Sequence, residues 1–406
     1  MELHERVLIL PTLKKTMPMR LILPLLFLIL SINQARAQQA PKIDSVHMVL
    51  LNPYVQIAAT DALNQLYNFK FDESMRSMKY LKYEYGWHPL PYFMMGLNYW
   101  WRIQPNMNNT EYDDTFNAYM DTAIYVAERL HEEANPIEGA FFLAASWGFK
   151  ARLHSDRENY SRAALDGRKA LKYLKESRDY TEYSPELLFG DGLVNYYAKW
   201  IRENYPMLRP LMAFFPKGDK NLGVQQLREV ARNAFYARTE AQYYIMTIMF
   251  HDYDNYSEAM QVSEYLHTTY PDNAFFHRWY ARVLYQSGRR KQAEEVCMNI
   301  LARLDSGMVG YESESGRYAS FFLGSIHRNR KDYPKAEHYF YRAKLFAEKA
   351  GSTDKGYYYQ TLYYLGEIAF QKGEKEKAKY YYKLVKKMAD RKDGAYEKAK
   401  QGLKDM

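Results

Sequence analysis

Arg278 and Arg282 stand four positions apart in this 406-residue chain, so on a helix both guanidinium groups emerge from one face. A guanidinium binds a carboxylate through two parallel hydrogen bonds, which is capture chemistry rather than bond-making chemistry. The patterns that make bonds are missing. There is no His-Glu-x-x-His, no Gly-x-Ser-x-Gly, no Walker loop and no Cys-x-x-Cys. Gly190-Asp191-Gly192 is a short match inside a helical stretch, where glycine serves close packing. The run from Asp252 to Glu258 looks like a calcium loop but lacks the glycine at the sharp turn and the distal glutamate, so it reads as an interhelix loop. The ten histidines are scattered, and neither His277 nor His327 has two further ligands at metal spacing. Asp113-Asp114 and Glu132-Glu133 read as solvated helix faces. The expectation is a protein with no catalytic residue, no cofactor and no metal; an enzyme would need a site assembled from distant segments.

The elements that must hold these arginines repeat. Four stretches align on a small residue opening a second helix: Asn255 to Ala259, Arg289 to Ala293, Asp332 to Ala336 and Glu374 to Ala378. Ala259 to Ala293 is a step of 34 residues, and the next two steps are 43 and 42. The excess falls in the polar linkers Asp305 to Ser313 and Gly351 to Gly356, where a loop can grow without breaking a stack. Leu323-Gly324 and Leu365-Gly366 sit midway along the first helices, with Tyr280-Ala281 and Met246-Thr247 in the other copies. Ala336 is followed four residues later by Phe340, and Ala378 by Tyr382. Pro271 closes one unit. On these residues the second half resembles the tetratricopeptide-repeat family, for which a 34-residue period is diagnostic. Apolar residues at helical spacing, such as Leu365, Ile368 and Ala369, support helix pairs independently. One pair cannot bury its apolar face alone, so pairs must stack.

The resemblance implies an all-α fold, a right-handed superhelix (α-solenoid) of antiparallel helix pairs, and a concave groove lined by first helices. Groove-facing positions of the family map onto Phe275, Arg278, Arg282 and Tyr285 in one repeat. In the next they map onto Tyr318, Phe321, Arg328 and Asn329, and in the last onto Tyr363, Glu367 and Phe370. The implied ligand is a protein or peptide partner, an acidic segment or a C-terminal carboxylate held against tyrosine rings. The competing reading pairs the arginines with Glu312, Glu314 or Glu367.

The N-terminus reads as a secretory leader over residues 1–37. Lys14, Lys15 and Arg20 precede an apolar run from Leu21 to Ile32, and Ala35-Arg36-Ala37 offers a cleavage site. The apolar run is too short for a comfortable membrane span, so no transmembrane span is expected in the mature chain. The expected address is the periplasm or the inner face of an outer membrane, with peripheral envelope association open. The only cysteine, Cys297, lies on a packing face and can form no internal disulfide. The net charge of +8 is concentrated at the ends: from Gln371 onward there are twelve Lys or Arg against six Asp or Glu. A nearly neutral body argues against nucleic acid. The basic end reads first as the solvated face of a capping helix and second as a patch for acidic partners or anionic lipid. Forty tyrosines suit helix-pair packing. They also leave open a carbohydrate-binding module that uses exposed rings such as Trp100-Trp101 or Trp147.

Residues 38–238 read as divergent helix pairs, and 239–406 as four repeats with a basic C-terminal capping helix. Helices are expected over Leu51 to Lys70, Asp72 to Tyr85, Tyr92 to Ile103, Glu111 to His131, Gly139 to Leu153 and Tyr160 to Leu174. An insert at 205–220 stands apart. Pro206, Pro210 and Pro216 enclose Met207, Leu208, Leu211, Met212, Phe214 and Phe215, a segment too apolar for a free loop. It reads equally as a plug over the solenoid or as an element that docks a partner.

Overall fold

The computed structural model describes residues 48–406 apart from Tyr183, Lys355 and the side chain of Asp179. The expected leader and cleavage site lie outside the described residues. All regular structure among the described residues is helical, in consecutive pairs. The first three pairs are α1 (Pro53–Tyr67) with α2 (Phe71–Tyr85), α3 (Leu90–Ile103) with α4 (Asp113–Glu133), and α5 (Pro136–Asp156) with α6 (Tyr160–Ser177). In the fourth, α7 (Leu188–Asn204) packs on α9 (Lys220–Asn233), and the insert between them forms a 3-10 turn at Pro206–Leu208 and a short α8 (Arg209–Met212). Four further pairs are α10 (Arg238–His251) with α11 (Tyr256–Thr269), α12 (Ala274–Gln286) with α13 (Arg290–Asp305), α14 (Ser313–Asn329) with α15 (Tyr333–Lys349), and α16 (Gly356–Gln371) with α17 (Lys375–Met388). A final α18 (Gly394–Lys404) covers α16 and α17. The architecture is an α-solenoid of tetratricopeptide-like helix pairs. No described helix is long and apolar enough to cross a membrane.

Local sequence explains the breaks. Asn52, Asn135, Asn159, Asp219, Asn255, Asn273, Asp332 and Asp393 each cap a helix by accepting backbone N–H groups. Six of the eight pairs share one turn geometry. Phe69, Glu158, Asp254, Gly288, Lys331 and Gly373 all have positive φ, and each stands two residues before its second helix. In most of these turns the next N–H closes back on the carbonyl five residues earlier, as Asp332 does on His327 at 2.9 Å and Glu374 on Ala369 at 2.9 Å, the Schellman closure. The repeat therefore persists in the first half, where its side-chain pattern has decayed.

Within a pair, small residues set the approach of the helices. A Cβ added at Gly324 would lie 2.7 Å from the ring of Phe340, and one at Gly366 2.8 Å from that of Tyr382. One continuous apolar core runs from Val49 to Ala399 and includes Cys297. The thiol of Cys297 is pushed up by burial.

Candidate functional site

The inner face of the second half is not an open groove. Phe275, Phe321, Arg278 and Arg282 are all buried. The Arg278 guanidinium donates to the Pro105 carbonyl at 3.0 Å and lies over the Phe275 and Tyr318 rings. Burial lowers it below the ordinary arginine range, against the opposing pull of Glu314. Arg282 lies 4.9 Å from the Phe250 and Trp279 ring centres, and its buried Nε has no hydrogen-bond partner. Tyr285 stacks on Phe322 at 4.6 Å. Arg328 does not join the other two arginines: it makes a bidentate pair with Glu367, its Nη2 2.7 Å from Oε1. Asn329 is exposed, while Tyr318, Tyr363 and Phe370 are half-buried, with Tyr363 stacked on Tyr382 at 5.8 Å. Of the two readings of these arginines, Arg328 follows the paired one, and Arg278 and Arg282 serve the interior.

The reason is long-range. The chain curls so that the ends of α1 and α3 meet the starts of α10 and α12. Trp101 packs on Phe275 and Phe276 with ring centres 5.9 and 5.2 Å apart. Asn273 donates to the Tyr67 carbonyl at 2.7 Å, and Asn108 to the Ala350 carbonyl at 2.9 Å. Glu240 clasps the two halves: its Oε1 accepts from Trp101 Nε1 at 2.8 Å and from the Tyr67 hydroxyl at 3.3 Å. Burial pushes the Glu240 carboxyl up to about 7, although both hydrogen bonds oppose the shift. Trp100 and Trp101 are therefore interior and unavailable to a sugar, and Trp147 is half-buried with Lys169 3.6 Å above its ring.

Two other buried carboxylates have structural employment. Glu186 accepts the backbone N–H groups of Phe235, Tyr236 and Ala237, just before α10. Glu138 accepts the N–H of Leu50 at 2.7 Å and faces His88 Nε2 at 3.5 Å. Asp191, from the Gly-Asp-Gly match, pairs with Arg178. No group of three His, Cys, Asp or Glu among the described residues is arranged to hold a metal.

Closing the curl creates a cavity of about 450 Å³, surrounded by α1, α3, α5, α6, α7, α10 and the insert. The helix at its centre shows it most clearly. No residue of α5 after Pro136 is exposed, yet Phe141, Ala144, Ala145, Gly148, Phe149 and Ala151 keep accessible surface, and all line the cavity. The insert forms part of the wall through Leu208, Leu211, Met212 and Phe215. Arg202 holds it there by donating to the carbonyls of Met212, Phe215 and Pro216 at 2.6, 2.9 and 2.6 Å. Met207 and Phe214 remain exposed on its outer side. Walls this apolar offer few partners to water.

No family model matches the chain, and no curated protein does. Among solved structures it is similar to yeast Tom70, at 11% identity over 87% of this chain and 96% of that one, with a TM-score of 0.30. A circular tandem repeat protein with novel repeat topology aligns at 13% identity over 86% of this chain and 97% of its own, with a TM-score of 0.26. At those TM-scores neither neighbour bears on what this chain binds.

Proposed function

We propose that this chain is an exported, non-enzymatic helical-repeat scaffold whose C-terminal repeats hold a protein or peptide partner carrying acidic residues. The observation that carries the reading is the outer face of α15 and α17. Tyr341, Leu345 and Tyr380 are 50%, 46% and 60% exposed, with the exposed Lys379 and Lys383 also on α17, while Lys344 and Lys377 are paired with Glu348 and Glu337. Exposed tyrosine set among lysines supplies rigid apolar contact together with charge complementarity to carboxylates. On the inner side of the same repeats, Arg328 with Asn329 and Tyr363 would take a partner's carboxylate by exchanging it for Glu367. The periplasm or the inner face of an outer membrane is the proposed address, on the strength of the leader.

Site-specific photocrosslinking in the native envelope tests this. A crosslinker at position 380 should give one discrete adduct that is lost when Lys379 and Lys383 are changed to glutamate. A crosslinker at the equally exposed position 125, on α4, should give none. Identical adducts from both positions, or none from 380, would refute the proposal. Export is tested separately by N-terminal sequencing, which should begin at Gln38.

A further inference from the structure

We propose that the cavity bounded by α1, α3, α5, α6, α7, α10 and the insert is a binding site for a single long acyl chain, whose carbonyl oxygen is taken up by Arg152. This goes beyond the scaffold role and does not depend on it.

The volume is the first argument. Ligand sites commonly fall within about 300–1,000 Å³, and a cavity of about 450 Å³ lies within that range. The wall chemistry is the second. Gly148, on α5, is unlike the glycines that let helices touch: a Cβ there would meet nothing within 4 Å, whereas at Gly190 it would meet the Leu174 side chain at 2.7 Å. The small side chain at 148 therefore keeps space open inside the molecule. Gly167, on the paired α6, instead lets the insert seat against the wall: a Cβ there would press on the Phe215 ring at 3.1 Å.

The third argument is Arg152, which supplies the polar end. Its Nε donates to Asp156 at 2.8 Å and its Nη1 to the Tyr244 hydroxyl at 3.2 Å. Its Nη2 has no partner among the described residues, and the side chain keeps 22% of its surface accessible on a helix with no exposed residue after Pro136. That accessible surface faces the cavity. Tyr197 and Tyr244 line the same end, and burial pushes both phenols up, so they stay protonated as donors. Asp156 already balances the guanidinium charge, so the site accepts a neutral ester or amide carbonyl as readily as a carboxyl group. The shared chemistry is an acyl carbonyl, supplied by a free fatty acid or by the acyl group of a lipid-modified peptide.

The probe is cis-parinaric acid, titrated into purified protein stripped of lipid by organic extraction, with the extract read by mass spectrometry. Saturable, one-to-one fluorescence enhancement is expected, with displacement by palmitate and only weak displacement by octanoate. Displacement by palmitate alone assigns the free acid; displacement also by an N-palmitoyl peptide assigns the bound acyl group. Gly148→Phe fills the space and should weaken palmitate binding by at least about tenfold, since each displaced methylene loses its burial. The melting temperature of this variant should rise, and Gly148→Leu carries the same expectation with a smaller side chain. Gly148→Ala should leave binding nearly unchanged. Arg152→Met should weaken palmitate and palmitoyl peptide alike. No saturable binding to the stripped wild-type protein, or unchanged palmitate affinity in a folded Gly148→Phe or Gly148→Leu variant, would overturn the proposal.

Discussion

Replacing Glu240 with glutamine should flatten the dependence of stability on pH between about 4.5 and 7. In the folded protein, burial raises this carboxyl from its ordinary 4.5 to about 7, while the unfolded chain returns it to water. Between those values the folded state holds a proton that the unfolded state has lost, so raising the pH favours unfolding. The contribution is fully present below pH 4.5 and gone above pH 7, and a gap of that width is worth about 3 kcal/mol. Glutamine cannot ionise, yet it keeps an oxygen to accept from Trp101 Nε1 and the Tyr67 hydroxyl. The assay is urea unfolding followed by tryptophan fluorescence at pH 5, 6, 7 and 8, with Trp101 itself a reporter at the clasp. Subtracting the variant's curve from the wild type's removes every other titration. The wild type should lose about 1.4 kcal/mol per pH unit relative to Glu240→Gln across that window. Parallel pH profiles would refute the reasoning, because they would mean that the carboxyl ionises as freely inside the clasp as in water.

Gly324→Leu should destabilise by about 1–3 kcal/mol, because its Cβ would press on the buried Phe340 ring. Hydrogen exchange should accelerate first in α14 and α15; uniform acceleration along the chain would contradict repeat-wise coupling. Lys331→Gly should stabilise by up to about 1 kcal/mol, since a lysine holds φ 61° at a turn position where Gly288 and Gly373 stand in neighbouring repeats. A lower melting temperature would count against that. The Arg328–Glu367 pair, with side chains 27% and 24% exposed, should show a coupling of about 0.5–1 kcal/mol in a double-mutant cycle. The coupling should shrink with added salt, and a salt-independent value would point to packing instead.

The helices of the first half were legible within a few residues. Asp72 to Tyr85 was expected and α2 runs Phe71–Tyr85; Tyr160 to Leu174 was expected and α6 runs Tyr160–Ser177. The Leu-Gly pairs marked points of close helix approach, and the structure adds which rings lie there: Gly324 meets Phe340 and Gly366 meets Tyr382. The groove was not legible. Arg278 and Arg282 do share the first helix of a repeat, but Arg278's partner carbonyl belongs to Pro105, 173 positions away. The cavity left a trace in the sequence: alanine and glycine recur along Ala144, Ala145, Gly148 and Ala151, and again along Ala163, Ala164 and Gly167. Small side chains let helices touch or keep a space open, and their identity alone does not separate the two.

Local chemistry was enough for the helices, their caps, the turns between them and the stacking of pairs, because each depends on residues a few positions apart. Helical period, an asparagine or aspartate before a helix and a small residue opposite a ring all act within one or two turns of chain. How tightly the stack curls depends instead on small angular offsets between successive pairs, accumulated over many repeats, and no short pattern encodes their sum. That sum carries α1 and α3 onto α10 and α12. It buries the arginines that repeat position would have placed in an open groove, and it makes a line of small residues on α5 one wall of an apolar cavity.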